Sequence, residues 1–234
     1  MSPVSDLMVS TSLDGTARVW DMNIPKCQGR INLSQHPAAA FDPTGAVLAV
    51  VCDTPPETLP IPGTPLGMDV CLYDIRVFEK GPFAYQSLAL SSYIPDAFSS
   101  QPPYSCVSVQ FSNDGNKILV STGSDSLFVV DGFLKPEVPV RRLHGPQKEC
   151  RMTALVQPSF SPDDRFVIAG TDSGALAVWD IAGSESSLLR PSVIEAHPLS
   201  VNVVSYNPKF DMLASACTAV SFWLPQTPPS SQPQ

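Results

Sequence analysis

The side chains best suited to chemistry are three histidines, His36, His144 and His197, and six cysteines, Cys27, Cys52, Cys71, Cys106, Cys150 and Cys217. Neither set has a spacing that assembles a site. No two cysteines form a C-x-x-C pair and the histidines share no metal-ligand pattern, so zinc sites and redox dithiols have no local signature. Most of the cysteines lie in apolar runs, which reads as buried reduced thiols. The motifs G-x-S-x-G and H-E-x-x-H, a Gly-rich phosphate loop and a calcium loop are missing as well. These residue types therefore point away from an enzyme, a metal and a cofactor.

Their other use is structural. Ser12–Asp21, SLDGTARVWD, reads as two antiparallel strands around an Asp14-Gly15 turn, because Gly accepts positive φ and Asp bonds its own backbone. The design returns as GTDSGALAVWD, Gly170–Asp180. Degraded copies are MDVCLYD from Met68, SLFVVD from Ser126 and TAVSFWL from Thr218. A strand–turn–strand unit that recurs and closes on Trp-Asp is the signature of a WD-repeat β-propeller, an all-β fold.

In such repeats a histidine before the first strand bonds an Asp in the turn after the second, and a Ser or Thr and the Trp complete a buried network. Blade one carries Ser12, Asp14 and Trp20. A later blade carries Thr171 and Trp179, with Ser173 at the turn position and Asp172 beside it. The last carries His197, Ser215 and Trp223 but no Asp in its turn. The expected bonds run from the Trp20 indole to Ser12 and from the Trp179 indole to Thr171, with both rings packed between blades.

The elements that hold these residues follow from a second landmark. Phe41, Phe111, Phe160 and Tyr206 each precede a polar turn and a short apolar strand, marking the first two strands of successive blades. Blade one lacks its innermost strand and consists of Leu7–Ser12, Thr16–Asp21 and Gly29–Leu33. Blade two runs from Ala38 to about Leu90, blade three from Tyr104 to Leu143 and blade four from Met152 to about Glu195. The last blade has three strands, Val201–Tyr206, Met212–Ala216 and Ala219–Leu224. That gives about four to five blades over residues 1–224, in an arc expected to stay open with unpaired edges at both ends. Residues 225–234, rich in Pro, Ser and Gln, read as a disordered tail. Two proline-rich inserts, Asp53–Gly67 and Ser91–Pro103, should emerge on one face around blade two.

Composition narrows the partners. The chain has 234 residues, 43% of them hydrophobic, and a formal net charge of -8. An acidic chain disfavours nonspecific binding to nucleic acid, and no apolar run approaches the roughly 20 residues that span a bilayer. Asn32-Leu33-Ser34 fits the glycosylation acceptor pattern, but the N-terminus has no signal-peptide pattern. Positive charge gathers at Arg141, Arg142, Lys148 and Arg151, a candidate patch for phosphorylated or acidic peptides.

Several stretches go beyond the generic repeat: MSPVSDLMVSTSLDGTARVWDMNIPKCQG from Met1, AFDPTG from Ala40, LYDIRVFEKGPFA from Leu72, FSNDGNKILVST from Phe111, and YNPKFDMLASACTAVSFWLP from Tyr206. In this order they resemble the WD-repeat subunit shared by COMPASS, the histone H3 lysine methyltransferase complex, and by the fungal cleavage and polyadenylation factor. DIRVFEKGPFA and SACTAVSFWLP belong to that family rather than to WD repeats at large. The resemblance implies seven-bladed propellers without enzymatic activity or cofactor. It implies a nuclear scaffold whose partners are subunits of the methyltransferase complex, the phosphorylated tail of RNA polymerase II, and cleavage and polyadenylation factors. Transcription termination, mRNA 3'-end processing and a phosphatase complex are also implied. The chain departs from the family in its two inserts and in starting inside a blade, roughly three blades in. The rival readings are a scaffold or substrate receptor of another assembly, such as a ubiquitin ligase, and a propeller enzyme working in the central channel.

Overall fold

The computed structural model describes residues 1–34, 37–54, 67–88, 106–123, 126–145, 157–183, 188–207 and 209–225. The two inserts, except Asp53, Thr54 and Gly67, lie outside the described residues, as do His36, Cys150, Lys148, Arg151 and the tail from 226 on. The described residues form five antiparallel blades. Blade one is β1 (Leu7–Ser12), β2 (Thr16–Asp21) and β3 (Cys27–Asn32). Blade two is β4 (Ala38–Phe41), β5 (Val47–Asp53), β6 (Met68–Asp74) and β7 (Ala84–Leu88). Blade three is β8 (Cys106–Phe111), β9 (Lys117–Thr122), β10 (Ser126–Asp131) and β11 (Arg141–His144). Blade four contains β12 (Ser159–Phe160), β13 (Phe166–Gly170) and β14 (Ala175–Asp180). Its chain then forms β15 (Leu188–Leu189) before the blade's outer strand β16 (Ser192–Glu195). Blade five is β17 (Val203–Tyr206), β18 (Leu213–Ala216) and β19 (Val220–Trp223).

Strand β15 is unexpected. It leaves blade four and pairs in parallel with β11, Arg142 opposite Leu188 and Leu143 opposite Leu189, as a fifth strand of blade three. Leu189 is buried there among residues of both blades. Two residues give too short a pattern for any periodicity to announce them.

Burial explains why inner and outer blades read differently. An inner blade is covered on both faces, so its central strands are continuous apolar runs: every residue of β6 except Asp74 is buried, and β5 from Leu48 on is buried too. The end blades alternate, with one face covered. In β19, Val220 and Phe222 are exposed while Ser221 and Trp223 turn inward. The core is a series of interfaces between blades. Ala17 and Ile31 meet Leu48, Val50 and Tyr73 between blades one and two. Met68, Val70 and Leu72 meet Phe111, Val120 and Phe128 between two and three. Trp179 and Phe160 meet Leu127 and Leu143 between three and four. Ile168 and Leu176 meet Val204 and Leu213 between four and five. Among the described residues no apolar cluster joins blade five to blade one, and the sheets form an open, incomplete propeller.

Two opposed ends result. Asp53, Met68 and Leu88 pair in one row across blade two, so both inserts leave the sheet from the same end. The turns from first to second strand and from third to fourth strand lie at the other end. There, Gly45 and Gly115 take φ of 71° and 73° at the fourth turn position. Blade four puts Asp164 in that place, at φ 53°. Its buried carboxylate accepts from the Asn113 N–H (2.8 Å), Asn113 Nδ2 (2.9 Å) and the Asp114 N–H (2.8 Å), tying the turn of blade three to that of blade four.

Candidate functional site

The network residues sit where the repeat places them, but pairing register decides which bonds form. In blade five Trp223 is opposite Leu213, so Ser215 lies two residues on, on the same face. Trp223 Nε1 donates to Ser215 Oγ at 2.7 Å, and His197 Nε2 lies 2.7 Å from the same oxygen. The His197 and Trp223 rings meet edge-on with centroids 6.4 Å apart. In blade one Trp20 is opposite Met8, and its indole donates to Ser10 Oγ (2.8 Å), not to the expected Ser12. Ser12 instead accepts from the Asp14 N–H. In blade four Trp179 is opposite Val167, which brings up Ala169, a residue without a hydroxyl. The indole therefore donates to the His144 carbonyl of blade three (3.1 Å) rather than to Thr171. Thr171 Oγ1 closes its own hairpin, accepting from the Ala175 N–H, donating to its carbonyl, and lying 3.1 Å from Ser173 Oγ. Trp179 is fully buried between blades, whereas Trp20 is half-buried on the open face of blade one.

Blade five carries a thiol where its hairpin begins to turn. Cys217 follows Ser215 at the spacing of Asp14 after Ser12, but register sets it at the place of Ser12, each lying four residues beyond the partner of its Trp, Leu213 and Met8. Its Sγ lies 3.3 Å from His197 Nδ1. Asp14, hydrogen-bonded by Thr16, is held below the usual carboxylate range. The N–H of Ala219 likewise donates to Cys217 Sγ and, with Thr218, holds this thiol below its ordinary value. Its approach to His197 joins residues 20 apart in sequence and leaves no local signal. Burial has the opposite effect on Cys52, Cys71 and Cys106, whose thiols it pushes up, that of Cys71 to about 12. Cys27 is exposed rather than buried, and Cys217 is half-buried on its turn. Among the described residues no three His, Cys, Asp or Glu side chains gather to hold a metal.

The opposite end carries grooves between successive blades. The one between blades two and three encloses about 310 Å³ and is lined by Val47, Leu72, Phe111, Phe83 and Phe133, with Asp42 and Asp114 beside them. Phe83 is 60% and Phe133 59% exposed, which is unusual for aromatic side chains on a folded surface. Desolvation works against the charge of Asp114, but Ser112 Oγ (2.6 Å), the Asn116 N–H (2.9 Å) and nearby Lys117 hold its pKa at about 2. The groove is thus an apolar trough with fixed negative charge, suited to a peptide that carries an apolar and a basic side chain. A groove of about 330 Å³ recurs between blades four and five, lined by Phe166, Ile194 and Tyr206.

The segment Asp74–Ala84 supplies two parts of this region. Phe83 forms the groove rim, and Phe78, in a 3-10 turn over Phe78–Lys80, packs on blade one. A Cβ on Gly29 would lie 2.1 Å from the Phe78 ring, so only glycine lets the turn seat there. The basic cluster is not brought together as one patch by its described members. Arg141 and Arg142 are adjacent in a strand and face opposite ways: Arg141 donates to the Ile181 carbonyl of blade four and Arg142 to Ser126 Oγ (3.0 Å) of its own blade.

Comparison with known proteins supports this architecture. The family "WD domain, G-beta repeat" matches residues 1–21 and 137–180. The Drosophila melanogaster "WD repeat-containing protein 82" is 34% identical over 226 residues, covering 96% of this chain and 62% of that protein. The Saccharomyces cerevisiae "COMPASS component SWD2" is 27% identical over 237 residues, covering 96% of this chain and 63% of that protein. The chain therefore spans just under two thirds of the length of these relatives. The Cps50 (Swd1) β-propeller domain of Myceliophteria thermophila superposes with a TM-score of 0.63 at 12% identity, over 94% of this chain and 67% of that one, a likeness of fold. With its five-bladed arc and its match to SWD2 along nearly all of its residues, the chain is a WD-repeat protein homologous to the SWD2 component.

Proposed function

We propose that this chain is a non-catalytic scaffold subunit of a COMPASS-like histone H3 lysine methyltransferase complex, acting in the nucleus. The observation that carries the reading is the likeness to SWD2 over 96% of the chain. The blades act as a rigid frame and the work is peptide and subunit docking, with the Phe83–Phe133 groove as a docking surface. In its finer form the reading has the scaffold link the methyltransferase to chromatin and to the phosphorylated tail of RNA polymerase II, with a role in transcription termination and mRNA 3'-end processing. What supports that form is the pair of family stretches, Asp74–Ala84 and Ser215–Pro225.

The test is recovery of tagged protein from nuclear extract. The methyltransferase catalytic subunit is the expected companion. Recovery of unrelated partners alone overturns the proposal, and a ubiquitin ligase among them would favour a substrate-receptor role instead.

A further inference from the structure

We propose that Cys217 is a modification site at which a small disulfide of the glutathione class adds to the thiol, with His197 as the proton acceptor. Three features place it there. Sγ lies 3.3 Å from His197 Nδ1. The imidazole is held from its other side, Nε2 lying 2.7 Å from Ser215 Oγ, and that oxygen is fixed by the Trp223 indole at 2.7 Å. Ser215 is 1% exposed, so this support is shielded from water, whereas Cys217 is half-buried on a turn whose next residues, Thr218 and Ala219, are exposed.

The chemistry follows. Nδ1 takes the thiol proton and leaves a thiolate beside an imidazolium, both of whose N–H groups then have acceptors, Sγ and Ser215 Oγ. The thiolate attacks one sulfur of the disulfide. A new S–S bond to Cys217 forms as the old one breaks, and the departing sulfur leaves as a thiolate that takes the proton back from His197. One thiol and one disulfide thus become one mixed disulfide and one thiol, with no change in total oxidation state.

The protein contains its own control. Cys27 is the more exposed thiol, and its S–H faces carbonyl oxygens, Gly29 at 3.1 Å and Val19 at 3.7 Å, which accept a hydrogen bond but are no proton acceptors for catalysis. The full chain is treated with glutathione disulfide under native conditions, and peptide mapping by mass spectrometry follows each cysteine. Cys217 is expected to react about tenfold faster than Cys27, because an imidazole is in reach of its proton. In urea the two rates should converge, because the advantage belongs to the folded site. His197→Gln keeps a hydrogen-bonding side chain but no strong proton acceptor. It should bring Cys217 down to the rate of Cys27. Native Cys217 reacting no faster than Cys27, or a rate advantage that persists in urea, would overturn the proposal without reliance on the variant.

Discussion

Asp164 of blade four accepts hydrogen bonds from both the backbone N–H and the side-chain Nδ2 of Asn113 in blade three, at 2.8 and 2.9 Å. A residue at positive φ, where blades two and three have glycine, thus acts through what its side chain holds. Asp164→Ala should lose about 2–3 kcal/mol in denaturant unfolding, since it strands the Asn113 and Asp114 N–H groups. Asp164→Gly should lose less by about 1 kcal/mol, because glycine accepts the turn conformation. Equal losses would show that the backbone is relaxed at this position.

Trp179 and Trp20 are the same repeat residue in unequal surroundings. Trp179→Ala removes a fully buried ring between blades and should cost about 3–5 kcal/mol. Trp20→Ala, on the open face of blade one, should cost about 1–2 kcal/mol. The pair is compared by urea midpoints; a Trp179 loss below about 1 kcal/mol would remove it from the core.

The seating of Phe78 on Gly29 predicts a compensating pair. Gly29→Ala alone drives a methyl into the ring and should destabilise by about 1–3 kcal/mol. Combined with Phe78→Ala, the cost of the Gly29 change should nearly vanish in a double-mutant cycle. Additive losses would mean that the ring is not what excludes the methyl.

Docking at the groove is tested without touching the core. Phe83→Ala with Phe133→Ala removes exposed rings, so stability should change by less than about 1 kcal/mol. Recovery of the companion subunits should fall by about tenfold or more if the rings anchor a partner peptide. Full recovery would place docking elsewhere.

Acid should weaken the fold over a defined window. Asp114 ordinarily titrates near 3.8 and is held at about 2 in the fold. The unfolded chain therefore binds this proton more readily, and the stabilisation is complete above about pH 5 and disappears as pH falls through 4 towards 2. Melting temperature should decline over that window, and Asp114→Asn should reduce the decline.

Much of the architecture is legible in the chain because strand-turn chemistry is local. The Asp14-Gly15 hairpin, the aromatics Phe41 and Phe111 before their turns, and the bounds of the first two strands of blade one all follow from residue types within a few positions. What lay beyond reading depends on register and on contacts between blades. Whether an indole reaches Ser10 or Ser12 is set by which residue lies across the hairpin, and identical Ser-to-Trp spacing in blades one and five gave different bonds. The Asp164 clamp joins residues of separate blades and leaves no local pattern. Cys217 meets His197 from 20 residues away, a contact that its sequence neighbours do not announce. Of the expected basic patch, Lys148 and Arg151 lie outside the described residues, and a strand turns Arg141 and Arg142 to opposite faces.

The strand that blade four lends to blade three bears on the order in which the molecule comes apart. Leu188 and Leu189 cover the outer edge of β11, so blade three cannot shed that edge while blade four's connection stays in place. The two should open as one cooperative unit, with their amides sharing a single hydrogen-exchange protection, while blades one and five, each of three strands with one face uncovered, exchange first. The centre of the arc would then be its slowest clock, and a chain cut between β14 and β16 would lose the protection of blade three along with that of blade four.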